Sequence, residues 1–160
     1  MKQAGGGVGP GADDDGRGLR ILVLRSSFNA AVVDGLLAGA RAALDRMGVA
    51  DVAVESVPGA FELPLAARVA AESGRFDAVV ALGAVIRGET DHYEHIAREA
   101  AAGLAAVARE TGVPVGFGVL TVTEEAHALA RSAPGPGNKG AEAAQAAVAM
   151  ARLLRRLKVP

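Results

Sequence analysis

The segment from Val85 to His92 carries residue types that could bind an anion and move a proton. It follows the apolar run from Ala78 to Leu82 and contains Gly88, Thr90 and His92. Backbone amides and a hydroxyl just before a helix can form a cradle for a phosphate group. Because histidine titrates near neutral pH, His92 is the candidate proton donor and acceptor. A buried strand that ends in such groups is typical of the ligand-binding edge of an α/β protein.

Aromatic rings are scarce in this chain, so the placement of its four phenylalanines is informative. Phe28 follows the first predicted strand, Phe61 follows the second and Phe117 lies within the fourth, whereas Phe76 opens the third. Taken singly, each is more often an ordinary core residue. Taken together, Phe28, Phe61 and Phe117 are predicted to converge on one sheet edge as a slot for a planar ring.

Two charged residues have both a binding and a purely structural interpretation. Glu62 closes the segment Pro58-Gly59-Ala60-Phe61-Glu62, where it could accept hydrogen bonds from ligand hydroxyls or simply favour the helix dipole. Arg131 ends a short predicted helix, where it could clamp a phosphate with two hydrogen bonds or act as a helix-terminal cation. The spacing alone leaves both alternatives open for Glu62, whereas Arg131 taken by itself is more typical of a helix-terminal cation.

Metal binding is the alternative for His92, because His95 lies three residues further along with acidic residues nearby. No separate third-ligand motif accompanies the pair, and a closed zinc site needs a better-defined ligand set. We therefore predict no metal site and interpret His95 and His127 as surface or interface residues.

Composition limits the classes of function. A length of 160 residues predicts one domain, and a formal net charge of -1 gives no reason to expect nucleic acid or an anionic membrane as a partner. The absence of cysteine excludes disulfides and thiolate metal sites, and it makes the cytoplasm the expected compartment. No apolar run approaches the roughly 20 residues of a membrane span. Alanine-rich helix faces favour close packing within the chain or between subunits.

Residues 1–18 are predicted to form a disordered arm, because glycines and three successive aspartates cannot build a core. The glycines do not predict a phosphate loop, since no strand precedes them and the aspartates would repel a phosphate. The segment also lacks the apolar stretch of a signal peptide. The folded domain is therefore expected to cover residues 19–160.

From Leu19 onward, strands alternate with helices. The third strand is apolar on both sides, which indicates a parallel sheet covered by helices on both faces. We predict a three-layer α/β sandwich with a four-stranded parallel sheet in flavodoxin-like order. The predicted strands are 19–24, 52–57, 76–86 and 114–121, and the predicted helices are 30–47 with Asn29 as N-cap, 61–73, 91–111, 124–131 and 138–158.

Five separated motifs occur in a characteristic order along residues 19–158. They are Ser27-Phe28-Asn29, Pro58-Gly59-Ala60-Phe61-Glu62-Leu63-Pro64, Gly83-Ala84-Val85-Ile86-Arg87-Gly88 with Thr90 and His92-Tyr93, Gly118-Val119-Leu120-Thr121, and Gly137-Asn138-Lys139-Gly140. In order and spacing the chain resembles the 6,7-dimethyl-8-ribityllumazine synthase family. The resemblance implies a transferase of riboflavin biosynthesis that condenses two small-molecule substrates without a cofactor.

The resemblance also implies roles for residues that bind 5-amino-6-(D-ribitylamino)uracil. Phe28 would stack on the pyrimidine, Ala60-Phe61-Glu62 would contact the ribityl chain and Ala84-Val85-Ile86 would line the pyrimidine pocket. Phe117 and Lys139 would reach the same site from a neighbouring subunit.

For the second substrate, 3,4-dihydroxy-2-butanone 4-phosphate, the resemblance implies that Glu89 and Thr90 hold the phosphate. Arg131 would reach this phosphate from the neighbouring subunit, and His92 would be the general acid and base.

The family forms pentamers or sixty-subunit icosahedral shells, so the resemblance implies a homo-oligomer with riboflavin synthase as a further partner. Two departures from the family pattern bear on local contacts and assembly. Glu125-Ala126-His127-Ala128 occupies the place of a Glu-Gln-Ala segment, and residues 133–137 contain two prolines.

Two other functions fit the predicted fold. An FMN-binding electron carrier would need a Ser/Thr/Gly-rich phosphate loop after the first strand, but the segment Ser26-Ser27-Phe28-Asn29 is short and has no glycine. A purely structural shell would not need Phe28, Glu62, His92 and Arg131 together. Both alternatives are therefore less favoured than the synthase.

Overall fold

A computed structural model describes residues 14–160, and its three-layer α/β architecture confirms the predicted fold class. Each predicted strand and helix is present, with bounds that shift by a few residues. The strands are β1 (Arg20–Ser26), β2 (Asp51–Val57), β3 (Ala78–Ile86) and β4 (Val115–Val122). The helices are α1 (Ala30–Arg46), α2 (Leu63–Glu72), α3 (His92–Thr111), α4 (Glu125–Ser132) and α5 (Lys139–Lys158), with a 3-10 turn at Ala60–Glu62 before α2.

The four strands are parallel and lie in the order β2-β1-β3-β4, which confirms the predicted flavodoxin-like order. β3 lies between β1 and β4, and its first seven residues are buried, because helices cover both faces of a parallel sheet. The pairing of β1 with β3 ends at Arg25 and Leu82, whereas β3 continues beside β4 to Ile86. β3 therefore extends beyond β1 at the carboxyl edge of the sheet.

On one face of the sheet, α1, α4 and α5 pack with very close backbone contacts. A Cβ atom on Gly140 of α5 would lie 1.9 Å from the carbonyl oxygen of Leu36 in α1, so only glycine fits there. A Cβ on Gly35 would lie 2.4 Å from the carbonyl oxygen of Ser132 at the end of α4. The large buried side chains Leu36, Leu44 and Val148 fill the core on this face.

On the opposite face, α2 and α3 cover the sheet less completely. Leu63 and Leu104 are buried there, and Gly103 of α3 lies close to the ring of Pro64. Leu65 and Val69 on α2 are instead largely exposed. They border an open apolar groove of about 510 Å³ between α2 and the strands β1 and β2.

Residues 1–13 of the predicted disordered arm lie outside the described residues. The rest of that segment packs on the domain: the Gly16 N–H donates to the Met47 carbonyl at 2.7 Å, and Arg152 donates to the carbonyls of Asp15 and Arg17. These contacts place residues 14–18 on the folded domain, so its packed part begins before Leu19.

A charged cluster joins the layers at the amino edge of the sheet. Arg20 donates to the Asp77 carboxylate from its backbone N–H at 2.7 Å and from Nε at 3.3 Å, and Arg155 of α5 lies 3.2 Å from the same carboxylate. Burial would raise the pKa of Asp77, but the hydrogen bonds from Arg20 and the charges of Arg20 and Arg155 lower it below its usual value. The charged form of Asp77 therefore stabilises the fold.

None of the helices described for residues 14–160 combines the length and the hydrophobicity that crossing a membrane requires.

Candidate active site

Backbone hydrogen bonds bring the segments after β1 and β2 together at the carboxyl edge. The Ser27 N–H donates to the Val57 carbonyl at 2.8 Å, and the Phe28 N–H donates to the Pro58 carbonyl at 3.2 Å. Because both strands end at the same edge of a parallel sheet, their following loops must meet there. The predicted grouping of Phe28 with the Pro58–Glu62 segment is thus present.

The segment Ala60–Glu62 forms a single 3-10 turn rather than the first turn of an α-helix. The Glu62 carboxylate accepts a hydrogen bond from the Gly59 N–H at 3.0 Å, which stabilises the turn. Glu62 therefore has the structural role that the sequence left open, and contact with a ligand stays a prediction. Ala60 is buried against β3. Its methyl group lies 3.5 Å from the position that a Cβ on Gly83 would take.

Two of the three predicted aromatic rings lie at this edge and are exposed. The side chain of Phe28 is 72% exposed and that of Phe61 is 57% exposed, although both are large apolar groups. Exposed rings beside hydrogen-bonded loops are typical of a surface that another molecule covers. Their exposure agrees with a stacking slot rather than with a place in the core.

Phe117 does not join the other two rings within the chain, so the predicted convergence of three rings is wrong for this residue. Its partner in the β-ladder is Ala81, near the middle of β3, whereas Val122 pairs with Ile86 at the end. Five residues of strand separate Phe117 from the carboxyl end of β4, roughly 16 Å at the usual rise per residue. Phe117 lies on the edge strand opposite β2 and is 48% exposed.

Asn29 occupies the predicted N-cap position of α1, but its side chain does not cap the helix. Its Nδ2 atom instead donates to the carbonyl oxygen of Ala84 at 2.9 Å. The backbone of Asn29 is left-handed, with φ 58° and ψ 49°. The sequence analysis therefore missed a link between the Phe28 loop and the end of β3; the only sequence signal was the adjacency of Asn29 to Phe28.

The end of β3 presents backbone groups toward the space beyond β1. The Ala84 carbonyl faces that side because it accepts from Asn29, and alternation along a strand turns the N–H and C=O of Ile86 the same way. The Arg87 N–H faces the other side and donates to Val122 of β4 at 2.9 Å. Since β1 stops pairing at Arg25, the Ile86 peptide groups have no β1 strand to pair with on that side.

Glu89, Thr90 and His92 lie close in one exposed segment at the start of α3. The His92 N–H points at the Thr90 Oγ1 atom, 3.5 Å away, a long contact that marks the beginning of the helix. In this turn the Glu94 N–H already donates to the Asp91 carbonyl at 3.0 Å, so only part of the turn's amides are left for an anion. The structure thus groups the predicted phosphate and proton-transfer residues in sequence and in space.

Arg131 and Lys139 lie away from this segment, in the layer on the other face of the sheet. The Arg131 guanidinium donates to the His127 carbonyl at 3.1 Å in its own helix, and α4 packs on α1 through Ser132 and Gly35. Lys139 forms an ion pair of 2.8 Å with Glu142 at the start of α5. Neither residue shares a face of the sheet with α3 and His92.

A buried hydroxyl lies between the end of β1 and Gly83 of β3. Ser26, the last residue of β1, is 1% exposed, and its Oγ atom has no hydrogen-bond partner among the described residues. A Cβ on Gly83 would lie 3.2 Å from this oxygen, so any larger residue at 83 would crowd it. Within residues 14–160, no three His, Asp or Glu side chains gather as metal ligands.

Comparison with known proteins gives consistent similarities over almost the whole chain. A family model described as 6,7-dimethyl-8-ribityllumazine synthase matches residues 18–155. A protein of that name from Thermococcus gammatolerans is 50% identical over 143 residues, which cover 89% of this chain and 92% of the relative. Its namesake from Nitrosomonas europaea is 51% identical over 142 residues (88% and 84%), and that from Kineococcus radiotolerans is 51% identical over 148 (91% of each).

Proposed function

Because the chain belongs to the 6,7-dimethyl-8-ribityllumazine synthase family, we propose that its reaction takes place at the carboxyl edge of the sheet. The chain is a transferase of riboflavin biosynthesis. It condenses 5-amino-6-(D-ribitylamino)uracil with 3,4-dihydroxy-2-butanone 4-phosphate and releases 6,7-dimethyl-8-ribityllumazine, phosphate and water. Family membership removes the flavodoxin-like electron carrier as an alternative.

The aminouracil binds between Phe28 and the end of β3. The single observation that carries this assignment is the extension of β3 past β1, which leaves the Ile86 peptide groups without a β1 partner on the side where Asn29 contacts Ala84. A pyrimidine imide edge alternates donors and acceptors, which matches backbone N–H and C=O groups. Phe28 stacks on the ring, Ala84-Val85-Ile86 line its edge, and the Ala60-Phe61-Glu62 turn contacts the ribityl chain.

The butanone phosphate binds at the start of α3. Glu89 and Thr90 hold the phosphate at the start of the helix, where the helix dipole favours an anion. The Arg131 guanidinium of a neighbouring subunit completes the clamp and stabilises the charge that develops as phosphate leaves. His92, next to this cradle, donates and accepts protons during imine formation and ring closure.

The reaction needs alignment and proton transfer more than any other contribution. The substrate amine attacks a ketone, a water molecule leaves, phosphate departs and the ring closes with loss of a second water molecule. Holding both substrates in one site makes the condensation effectively unimolecular. These steps use acids, bases and charge, so no cofactor is part of the proposal.

A second copy of the chain completes the site. Phe117 lies in the middle of β4, and Arg131 and Lys139 belong to helices on the face of the sheet opposite α3 and His92, so a neighbour's copies of these residues are proposed to serve the site. The exposed apolar groove beside Leu65 and Val69 offers a surface that a neighbour would bury. A pentamer and a sixty-subunit shell both supply such a neighbour, and mass measurement separates them. We also propose riboflavin synthase as a partner and the cytoplasm as the location, the latter from the absence of cysteine.

The first experiment measures lumazine formation by the purified chain against a control without enzyme. Clear acceleration is expected, and a rate equal to the control would overturn the proposed activity and favour an inactive shell. Arg131→Ala should raise the KM of the phosphate substrate by roughly tenfold to a hundredfold, because a charged hydrogen bond is lost. His92→Ala should instead lower kcat, by about a hundredfold.

Subunit complementation tests whether two chains share each site. Phe28→Ala and Arg131→Ala are purified separately, mixed, dissociated and reassembled. If each site takes Phe28 from one chain and Arg131 from its neighbour, about a quarter of the sites in a random mixture regain both wild-type residues. Recovered activity well above that of either parent is expected. No recovery, with mixed oligomers verified by mass, would place both residues in one chain.

A further inference from the structure

Asn29 has a backbone conformation that nothing in helix formation explains. It is the only non-glycine residue with positive φ among residues 14–160. Asparagine at an N-cap normally takes an extended backbone, and its side chain accepts from the amides of the first turn. Here the Asn29 carbonyl accepts from the N–H groups of Val32 and Val33 at 3.1 Å, while the side chain turns away from the helix.

The left-handed backbone directs the side-chain amide across the sheet edge. It donates to the Ala84 carbonyl at 2.9 Å, 55 residues away in sequence. That carbonyl lies beyond the last β3 residue that pairs with β1, so no backbone group of β1 is available to form a hydrogen bond with it. The Asn29 side chain therefore replaces the missing ladder contact at one point and leaves the Ile86 peptide groups open.

Given the function proposed above, on which this inference rests, we infer that Asn29 is a positioning residue for the aminouracil. Its amide fixes the Ala84 carbonyl and thereby the direction of the peptide groups that follow it to Ile86. Because Asn29 directly follows Phe28, whose N–H is fixed to Pro58 at 3.2 Å, the same residue also sets where the stacking ring stands. The two sides of the pyrimidine slot are thus held at a fixed separation by one side chain.

The phosphate half of the site has no such dependence on Asn29. Glu89, Thr90 and His92 lie beyond the end of β3, and the adjacent Arg87 N–H is bonded to β4 at 2.9 Å rather than to the Asn29 loop. Loss of the Asn29 amide should therefore weaken the binding of the aminouracil and leave the binding of the butanone phosphate unchanged. Substituting a residue that only stabilised the fold would not affect the binding of the two substrates differently.

Three substitutions separate the hydrogen bond from the backbone conformation. Asn29→Gly keeps the left-handed backbone without strain and removes the amide. Asn29→Asp tolerates the same backbone but places an acceptor against the Ala84 carbonyl. Thr111→Val is the matched control, because it removes a hydroxyl that donates to the Val107 carbonyl at 2.6 Å at the far end of α3.

The experiment measures aminouracil binding alone by calorimetry, both KM values, kcat and the melting temperature of the full chain. For Asn29→Gly we expect the Kd and KM of the aminouracil to rise about tenfold, the change that losing one well-placed hydrogen bond produces. The KM of the butanone phosphate should stay within about twofold, since its contacts are unchanged. Asn29→Asp should weaken the aminouracil further, and Thr111→Val should lower the melting temperature with both KM values unchanged.

Equal rises in both KM values for Asn29→Gly, or a lower melting temperature with unchanged aminouracil binding, would overturn the inference. The proposed function fails separately, if the wild-type chain neither binds the aminouracil nor accelerates lumazine formation; the inference then falls with it. If the wild type binds the aminouracil but does not turn over, the calorimetric comparison still decides the role of Asn29.

Discussion

The two faces of the sheet differ in how completely they pack within one chain. On the face of α1, α4 and α5, backbone atoms meet at Gly35 and Gly140, and the Asn138 amide donates to three carbonyls at 3.0 to 3.1 Å. On the face of α2 and α3, Leu65 and Val69 remain exposed beside an open groove. These contacts hold the helices of the first face together, although Leu129 and Leu157 on them are also exposed, and the second face leaves an open apolar groove.

This difference fits the proposal that a second copy of the chain completes the candidate site. The segments at the carboxyl edge, at the starts of α1 and α3 and the end of β3, already hold Phe28, Ala84 and His92 in place. The residues that the resemblance assigns to a neighbour, Phe117 and Arg131, lie elsewhere. We propose that packing within the chain forms one half of the site and that association through the open face supplies the other.

Gly140→Ala should have the largest effect on stability, because it adds a methyl group where α1 and α5 approach most closely. The added methyl group would lie 1.9 Å from the Leu36 carbonyl oxygen, and backbone atoms cannot move aside cheaply. We expect the free energy of unfolding to fall by about 3 kcal/mol or more, although alanine is the better helix former. Urea unfolding measures this loss.

Gly88→Ala is the matched control, since no atom lies within 4 Å of the position that its added methyl group would take, and its φ is not positive. Its stability should equal that of the wild type. A Gly140→Ala chain that is as stable as Gly88→Ala would show that α1 and α5 do not pack as closely as described.

Asn138→Ala should have the next largest effect, because one side chain joins α1, α4 and α5. Its amide donates to the carbonyls of Gly35, Ser132 and Ala133, and its Oδ1 accepts from the Ala141 N–H at 3.0 Å. We expect a loss of about 2 kcal/mol, measured by urea unfolding. Asn138→Ser, which keeps an N-cap oxygen, should recover part of it; no difference between the two would argue against the capping contribution.

Asp77→Asn tests the electrostatic link between β1 and α5 through its pH dependence. Because the pKa of Asp77 is lowered in the folded chain, its charge adds stability above the unfolded carboxyl pKa of about 3.9, and that stability is lost as the pH falls further. At pH 7 the variant should be less stable than the wild type, by at most about 1 kcal/mol for a partly solvated pair.

The difference between wild type and Asp77→Asn should shrink as the pH falls below about 4. Thermal unfolding of both chains from pH 7 to pH 3 measures it. A constant difference across this range would mean that the carboxylate charge is not what stabilises the cluster.

Ser26→Ala should have a small effect of the opposite sign. Its buried hydroxyl has no partner among the described residues, so its removal relieves a desolvation cost and should raise stability by up to about 1 kcal/mol. Thermal unfolding and the KM of the aminouracil measure the outcome. A clear loss of stability would reveal a partner for the hydroxyl.

Leu65→Ala should have the smallest effect on the isolated chain and completes the contrast between the two faces. Leu65 is 72% exposed, so its truncation should change the monomer's free energy of unfolding by no more than about 0.5 kcal/mol. The same substitution at the fully buried Leu36 should cost about 3 kcal/mol.

The effects of the two substitutions on subunit association should be reversed, with the larger effect for Leu65→Ala. Sedimentation over a range of concentrations should show weaker oligomers for Leu65→Ala, since the proposed interface loses buried apolar area. Unchanged association would remove the α2 groove from that interface.

Much of the fold was readable from local pattern. The apolar run of β3 predicted a central strand, and glycines such as Gly48, which takes a φ of 79° just past α1, marked where helices stop. The grouping of Phe28, Ala60–Glu62 and Ala84–Ile86 was also predictable, because parallel strands deliver their following loops to one edge. These inferences needed only periodicity, turn chemistry and strand direction.

What local pattern did not reveal has a different cause. Phe117 was placed with the other rings because a sequence does not show strand register, and the ladder sets it beside Ala81. Asn29 is the N-cap residue of α1 as predicted, but its side-chain contact with Ala84 was missed, because that partner lies 55 residues away. Glu62 could not be assigned between ligand and turn until the Gly59 contact was known.

The sequence by itself determined the elements, the parallel sheet, the family and most of the residues at the carboxyl edge, because these depend on neighbours within a few positions. Only the tertiary structure decided which side chains face one another, which face of the sheet stays open and that Asn29 holds the end of β3. Those outcomes depend on register and on contacts between distant segments, which are fixed when the layers pack and are not encoded in any short stretch of the chain.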